Sequence, residues 1–405
     1  MDLLPEDVLT QILVKVPCSK SILRCTSVCK PWYSLIKSPV FIKLHLSCPN
    51  NTKYLFCDFK SPGTKSRYLS IHHDTESFDE HYRLLFPGDL RHGMFILACC
   101  NGLICYTKSH SGLIHLWNPT IRKLKVLPRY RNHGGSCFGF WFDRQVNDYF
   151  VAKISTEQAS SVDVYSLRTN SWRTITKSVP ARSVAAGRDL VYVNGKLHWP
   201  RKASSERWMI CSLDIESGRL GETDIVSNKK VSDIYLTPIG ECSFAVYGSK
   251  YVNDLLRCCM VQVYDQNVNK LYTIDLENHT LYDLQRVVGL RNNGEALFPR
   301  LDLDHLEIIS CNAKTKDFRR FTGRLKPHLR TASEEVDGYP YNSRQLHHVR
   351  PFIETLALLN DEDAEDTSAP NYQLTSKRNC SSYVWLSFLR LFVLLNTIFL
   401  LYSFY

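Results

Sequence analysis

Hydrophobic positions in residues 1–46 recur at helical spacing. Leu4-Pro5-Glu6-Asp7 precedes Val8, Leu9, Ile12, Leu13 and Val16. That stripe predicts a helix opened by Pro5, with two acids at the positive end of its dipole. Pro17 stops it. Ser19 or Ser21 can cap a second helix carrying Ile22, Leu23, Val28 and Cys29. Lys30-Pro31 ends that helix and opens a third, which carries Trp32, Leu35 and Ile36 and ends before Pro39. Three short helices bury too little surface to stand alone, and the apolar positions of the first wrap more than one narrow stripe. The surplus apolar face needs a partner or a docked second domain.

From residue 50 to 360 the pattern changes to strands, and it repeats. Apolar runs end on Asn118, Ser166, Asp214, Asp265 and Asn312, at steps of 48, 48, 51 and 47 residues. A second turn signal interleaves with these: Asn101-Gly102, Asn147-Asp148, Asn194-Gly195, Ile239-Gly240 and Asn293-Gly294. Asn-Gly between apolar runs is a strong hairpin signal. Two hairpins per period means four strands per period, the unit of a β-propeller blade. Asp58, with Tyr54-Leu55-Phe56 before it, suggests an earlier blade at a looser step of 60, giving about six blades. The aromatic residues Trp117, Tyr165, Trp172, Trp199 and Tyr264 are assigned to packing between blades, with ligand stacking as the alternative for a tryptophan.

These residues carry a resemblance. The run from Leu4-Pro5 through Val16-Pro17, then Lys20-Ser21-Ile22-Leu23-Arg24, then Val28-Cys29-Lys30-x-Trp32-x-x-Leu35-Ile36-x-x-Pro39-x-Phe41 resembles an F-box. An extra residue between Pro17 and Lys20 departs from the pattern. Leu116-Trp117-Asn118-Pro119-Thr120, Val162 to Trp172 and Val193 to Trp199 resemble plant F-box-associated domains, as does Phe352-Ile353-Glu354-Thr355-Leu356. The match is weakest over 240–280. The resemblance implies a multidomain α plus all-β chain: a three-helix F-box at 1–46 and a β-propeller at 50–360. It implies a Skp-type adaptor bound by Leu4, Pro5, Val8, Leu9, Ile12 and Leu13, and a cullin reached through that adaptor. Leu23, Val28, Cys29, Trp32, Leu35 and Ile36 would hold the helices together. The client would be a protein held by the propeller, and the function substrate recognition for a ubiquitin ligase.

Charge alters this little. The chain of 405 residues has 50 Lys+Arg against 40 Asp+Glu, a net +10. Residues 361–405 sum to −2, so 1–360 carry a diffuse +12 with no block of five bases. Nucleic acid is not an expected partner. The 15 cysteines include no Cys-x-x-Cys pair, which removes zinc ribbons and thioredoxin-like sites and suggests reduced thiols in cytoplasm or nucleus. No P-loop, Gly-x-Ser-x-Gly elbow or His-Glu-x-x-His helix is present. His72-His73 and His347-His348 read as exposed loop residues rather than metal ligands. No metal, cofactor or catalytic residue is expected. An enzyme with a pocket at the propeller axis remains the alternative.

Two segments follow the repeats. Residues 361–380, opening on Asp361, Glu362, Asp363, Glu365 and Asp366, read as an acidic and polar linker. Residues 381–405 are hydrophobic with one charge, Arg390, and 383–405 is long enough to span a bilayer as a C-terminal anchor. A membrane-bound interaction protein without a ligase role is therefore a third reading.

Overall fold

The computed structural model describes residues 5–16, 19–48, 54–60, 67–84, 94–108, 112–130, 136–155, 160–179, 190–204, 207–225, 231–239, 242–252, 255–275, 289–291, 293, 295–302, 305–312, 315, 317–321 and 345–367. Four helices come first: α1 (Glu6–Val14), α2 (Ser19–Cys25), α3 (Lys30–Lys37) and α4 (Pro39–Leu46). The third ends before Pro39 as the sequence implies, and the fourth adds to the three helices expected over 1–46. Ser38 is extended, its Oγ accepts the Phe41 N–H at 3.1 Å, and Pro39 takes the first helical position. A proline that ends one helix thus starts the next, because the first turn leaves its N–H groups unpaired anyway.

Six blades follow. The outer three strands of blade 1 are β1 (Tyr54–Lys60), β2 (Arg67–His73) and β3 (Glu80–Leu84). Blade 2 runs β4 (Met94–Cys100), β5 (Leu103–Lys108), β6 (Ile114–Asn118), β7 (Lys123–Val126). Blade 3 runs β8 (Ser136–Asp143), β9 (Asp148–Ser155), β10 (Ser160–Ser166), β11 (Ser171–Val179). Blade 4 runs β12 (Val191–Val193), β13 (Lys196–Lys202), β14 (Trp208–Asp214), β15 (Leu220–Asp224). The weakly matching region builds blade 5: β16 (Asp233–Ile239), β17 (Ser243–Val252), β18 (Leu255–Asp265), β19 (Lys270–Asp275). Blade 6 runs β20 (Gly289–Leu290), β21 (Ala296–Asp302), β22 (His305–Cys311), β23 (Phe318–Arg320).

The chain then returns to the beginning. β24 (Gln345–Phe352) lies antiparallel to β1, from Tyr54↔Phe352 to Lys60↔Gln345, and supplies the inner strand of blade 1. One parallel bridge, Gly289↔Val349, brings the inner strands of blades 6 and 1 together. A Cβ at position 289 would lie 1.8 Å from the Val349 carbonyl oxygen, so only glycine permits this approach. Closure pairs the edge of β1 with β24, so that edge is not left open to a foreign strand.

The sequence repeat has a mechanical origin. β6, β10, β14 and β18 end on Asn118, Ser166, Asp214 and Asp265, and Asn312 follows β22. Each side chain folds back on the next turn. Asn118 Oδ1 accepts the Thr120 N–H, Asp214 Oδ1 the Ser217 N–H, Asp265 Oδ1 the Asn267 N–H, and Asn312 Oδ1 the Thr315 N–H. Ser166 Oγ does the same for Thr169. These are the Asx and Ser turns that tight connections favour. The interleaved Asn-Gly signals are the turns between first and second strands; Asn194 (φ 42°) and Gly195 (φ 83°) join β12 to β13. Asp58 is a correction: it lies inside β1. The matching position in blade 1 is Asp74, just after β2, only 44 residues before Asn118.

Apolar layers fill the gaps between neighbouring blades. Trp117 lies between blades 1 and 2, with Phe56, Tyr82 and Tyr106. Tyr165 is buried between blades 2 and 3, where the half-buried Trp172 donates its indole N–H to the Pro128 carbonyl at 2.8 Å. Trp199 is buried between blades 3 and 4, and Tyr264 between blades 4 and 5. Blades 5 and 6 meet through Tyr247 and Phe298, and blades 6 and 1 through Leu55 and Leu297.

The segment after β24 does not behave as a linker at its start, which corrects the reading of 361–380. Glu365 and Asp366 form β25, pairing with Leu124 and Lys123 as a fifth strand on blade 2. The buried Lys125 ammonium meets Asp361 at 2.7 Å and Asp363 at 3.3 Å. Buried cations need such partners, and here the acidic run supplies them. The rest of that linker, 368–380, and the hydrophobic tail 381–405 lie outside the described residues. Among the described residues no helix is long and apolar enough to cross a membrane.

Two outcomes follow for stability. Gly289→Val puts a side chain into the Val349 carbonyl and should lower the thermal midpoint sharply, while Gly221→Val, with open space around it, should leave it nearly unchanged. Burial pushes the His72, His81, His115 and His198 pKa values down to about 4 from 6.5. Between those limits the unfolded chain binds protons that the folded chain refuses, so stability is full above about pH 6.5 and falls as pH drops toward about 4. For the fully buried His72 the slope approaches ~1.4 kcal/mol per pH unit. Thermal unfolding across that range measures it.

Candidate functional site

The helical module is built around its own core. Leu9 and Leu13 from α1, Ile22 and Cys25 from α2, Trp32, Leu35 and Ile36 from α3, and Phe41 from α4 are buried together. Leu23 and Cys29 pack on this core half-buried, and Cys29 is the residue that begins α3. Burial pushes the Cys25 thiol up to about 11, so it is an inert core group. His45 of α4 is buried too, its Nε2 3.2 Å from the Val16 carbonyl oxygen, and desolvation lowers its pKa.

The residues singled out for adaptor contact divide into two sets. Leu9 and Leu13 point into the core, so they hold the helices together instead of facing a partner. Pro5 is exposed, and Val8 and Ile12, one turn apart, are half-exposed. Leu4 lies outside the described residues. Val28 also moves: it sits in the turn before α3, 42% exposed, and is not a core residue. Periodicity placed it on a helix that in fact ends at Cys25. Sequence reasoning missed two further exposed apolar residues, Val40 (67%) and Leu44 (44%), which share one face of α4. Their signal was available once Ser38-Pro39 was seen as a helix start.

The helices sit on one face of the ring, against blades 1 and 2. Ile121, in the β6–β7 turn, enters the helical core. The Lys20 ammonium lies 4.8 Å from the centroid of the Tyr82 ring on β3. Beside it Tyr54 stacks on His81 and His73 meets His81 edge-on, and burial lowers both histidine pKa values, with the neighbouring Lys20 charge adding to the effect at His81. Turns between first and second strands and between third and fourth strands share this face around the ring. Asn194 donates to Gln266, Arg291 meets Asp74 at 2.7 Å, and Asn170 donates to Asp363 at 2.9 Å. Because the strands alternate in direction, the described ends of all other connections point to the opposite face.

Chemistry-bearing residues elsewhere are mostly internal. His72 is a correction: it lies in β2, fully buried, with Ser70 Oγ at 2.8 Å and the Phe78 carbonyl at 3.0 Å on its two ring nitrogens. His347 and His348 lie in β24. Cys57, Cys105, Cys137, Cys211 and Cys311 are buried thiols, and burial pushes the Cys211 and Cys311 pKa values up to about 12 and about 11. Among the described residues no three His, Cys, Asp or Glu side chains are grouped to hold a metal ion.

Comparison with known families places these parts. A model described as "F-box-like" matches residues 1–47, and one described as "F-box associated beta propeller domain" matches 43–331. An F-box/kelch-repeat protein of Arabidopsis thaliana is 30% identical over 240 residues, 54% of this chain and 64% of that one. An F-box/LRR-repeat protein of the same plant is 24% identical over 358 residues, 83% of this chain and 80% of that one. The chain spans less than two thirds of the first two relatives, 64% and 55% of their lengths. Among solved structures, TolB from Acinetobacter baumannii aligns at a TM-score of 0.48 and 11% identity, over 80% of this chain and 73% of that one.

The division of α1 makes a direct test. Leu13→Ala should destabilise the helical module by about 2–5 kcal/mol, as a large-to-small change in a closed core does. Val28→Ala should change stability by less than about 0.5 kcal/mol. Denaturant unfolding of the two variants followed by far-UV circular dichroism separates the outcomes.

Proposed function

Since the chain belongs to the F-box-associated β-propeller family, we propose that it is the substrate-receptor subunit of a Skp–cullin–F-box ubiquitin ligase. The observation that carries this reading is the placement of the helices. They occupy one face of a closed ring and still present apolar residues outward: Pro5, Val8 and Ile12 on the α1 side, Val40 and Leu44 on α4. An apolar face left uncovered on so small a unit favours a protein partner there. In this reading the Skp-type adaptor takes that surface, and a cullin is reached through the adaptor.

The client protein belongs on the other face of the ring. The described ends of the connections between second and third strands and between successive blades point to it, and connections on a rigid scaffold are where binding specificity varies most freely. The chain acts by placement. It holds client lysines close to the ubiquitin-carrying enzyme and raises their effective concentration, with the covalent chemistry done on other subunits. No residue of this chain is assigned a catalytic role.

Adaptor co-purification tests the reading. Ile12→Asp and Val40→Asp should each reduce capture of a Skp-type adaptor at least tenfold with the thermal midpoint preserved, since one buried charge at an interface costs more than about 1.4 kcal/mol. Wild-type levels of capture by both variants, or no capture by the unmodified protein, would overturn it. Leu9 and Leu13 are unsuitable probes, because charge there unfolds the module itself.

A further inference from the structure

The helices and the ring are joined at many points. Beside Ile121 and the Lys20–Tyr82 contact, the joining residues come from the far end of the sequence. After β24 the chain crosses the face that carries the helices, then runs up the outer edge of blade 2. Along this path it alternates its partners.

Toward the helices, the buried Glu354 accepts the Ser19 N–H at 3.1 Å, at the start of α2. Leu356 is buried in the helical core, with Leu359 packed on the same cluster. Asn360 donates its side-chain N–H to the Lys37 carbonyl at the end of α3. Toward the propeller, Asn118 Nδ2 donates to the Thr355 and Ala357 carbonyls at 3.0 and 2.8 Å. Ala357, Leu358 and Ala364 enter the layer between blades 2 and 3. Asp361 and Asp363 hold the Lys125 ammonium, and β25 completes the attachment. The ring has made room for this path: a Cβ at Gly102 would lie 2.2 Å from the Ile353 carbonyl oxygen.

We propose that residues 353–367 are an orienting clamp that fixes the helical module at one angle to the propeller, with Glu354, Leu356 and Asn360 as its positioning residues. The side chains that grip the helices differ from those that grip the ring, so the two attachments can be separated by substitution. Two bodies held by a short peptide alone move freely by default, while a shared apolar core with satisfied polar groups holds one arrangement. The function of such a clamp rests on the ligase reading: it sets the distance and direction from adaptor to client. Its existence does not rest on that reading and is measured on the isolated protein.

The test uses the full chain as wild type, as Glu354→Ala/Leu356→Ala, and as Asn360→Ala, whose exposed side chain donates to the Lys37 carbonyl. Hydrogen exchange by mass spectrometry should show faster exchange of the α2 and α3 amides in both variants, larger in the double one. Blade amides should be unchanged. Small-angle scattering should show a larger maximum dimension for the double variant. Adaptor affinity should stay within about threefold of wild type, because the adaptor face is elsewhere. Equal exchange and dimensions in all three proteins would overturn the clamp. So would loss of blade protection, which would make the segment part of the ring fold only. If wild type binds no adaptor while the exchange differences appear, the ligase reading fails and the clamp stands. In a reconstituted complex that does bind, the double variant should lower the rate of client ubiquitination with client affinity retained.

Discussion

The ladder between β1 and β24 is the constraint on which the rest of the molecule depends. Strands that are nearly 300 residues apart in the chain must find each other, from Tyr54↔Phe352 to Lys60↔Gln345, before blade 1 has an inner strand. Without that strand the layer between blades 1 and 2 loses Phe352, and the layer between blades 6 and 1 loses Val349. The open edge of β1 would also expose a row of unpaired backbone groups. The same stretch of chain then passes directly into the segment that grips the helices. Ring closure and placement of the helical module therefore share one physical event.

Much of this was readable from residue order. The polar residue closing the third strand was visible in blades 2 to 6 because the backbone turn there uses an acceptor side chain at that spot. The Asn-Gly turns were visible because they need positive φ, which few residues tolerate. Trp117, Trp199 and Tyr264 could be placed between blades because large apolar groups in a ring have nowhere else to go. What periodicity could not give was direction. Leu9 and Leu13 share one apolar stripe with Val8 and Ile12, and only packing against α2, α3 and α4 decides which side is covered. Val28 was misplaced for a related reason, since the spacing continued one turn beyond the helix.

Other residues were illegible because their roles depend on distant chain. The acidic run looked like a solvated linker, since nothing in its own sequence reveals Lys125 some 236 positions earlier. His72 looked exposed because its partners, Ser70 and the Phe78 carbonyl, satisfy it only after β2 and β3 are folded together. Ser38-Pro39 looked like an ending because the cap it makes faces forward along the chain. In each case a local rule was sound, and a longer-range pairing decided the outcome.

The position of β24 has a further consequence for how the protein is made. A chain emerging from the ribosome presents its helices first, then blade after blade, while blade 1 and the helical core wait on residues 345–360. A product stopped early by a premature stop codon would carry most of the propeller and all four helices. It would nonetheless have a frayed first blade, a helical core lacking Leu356, and an exposed strand edge for quality-control factors to seize. The architecture thus proofreads its own completeness: only a chain translated past this point can hide the signals that mark it as defective.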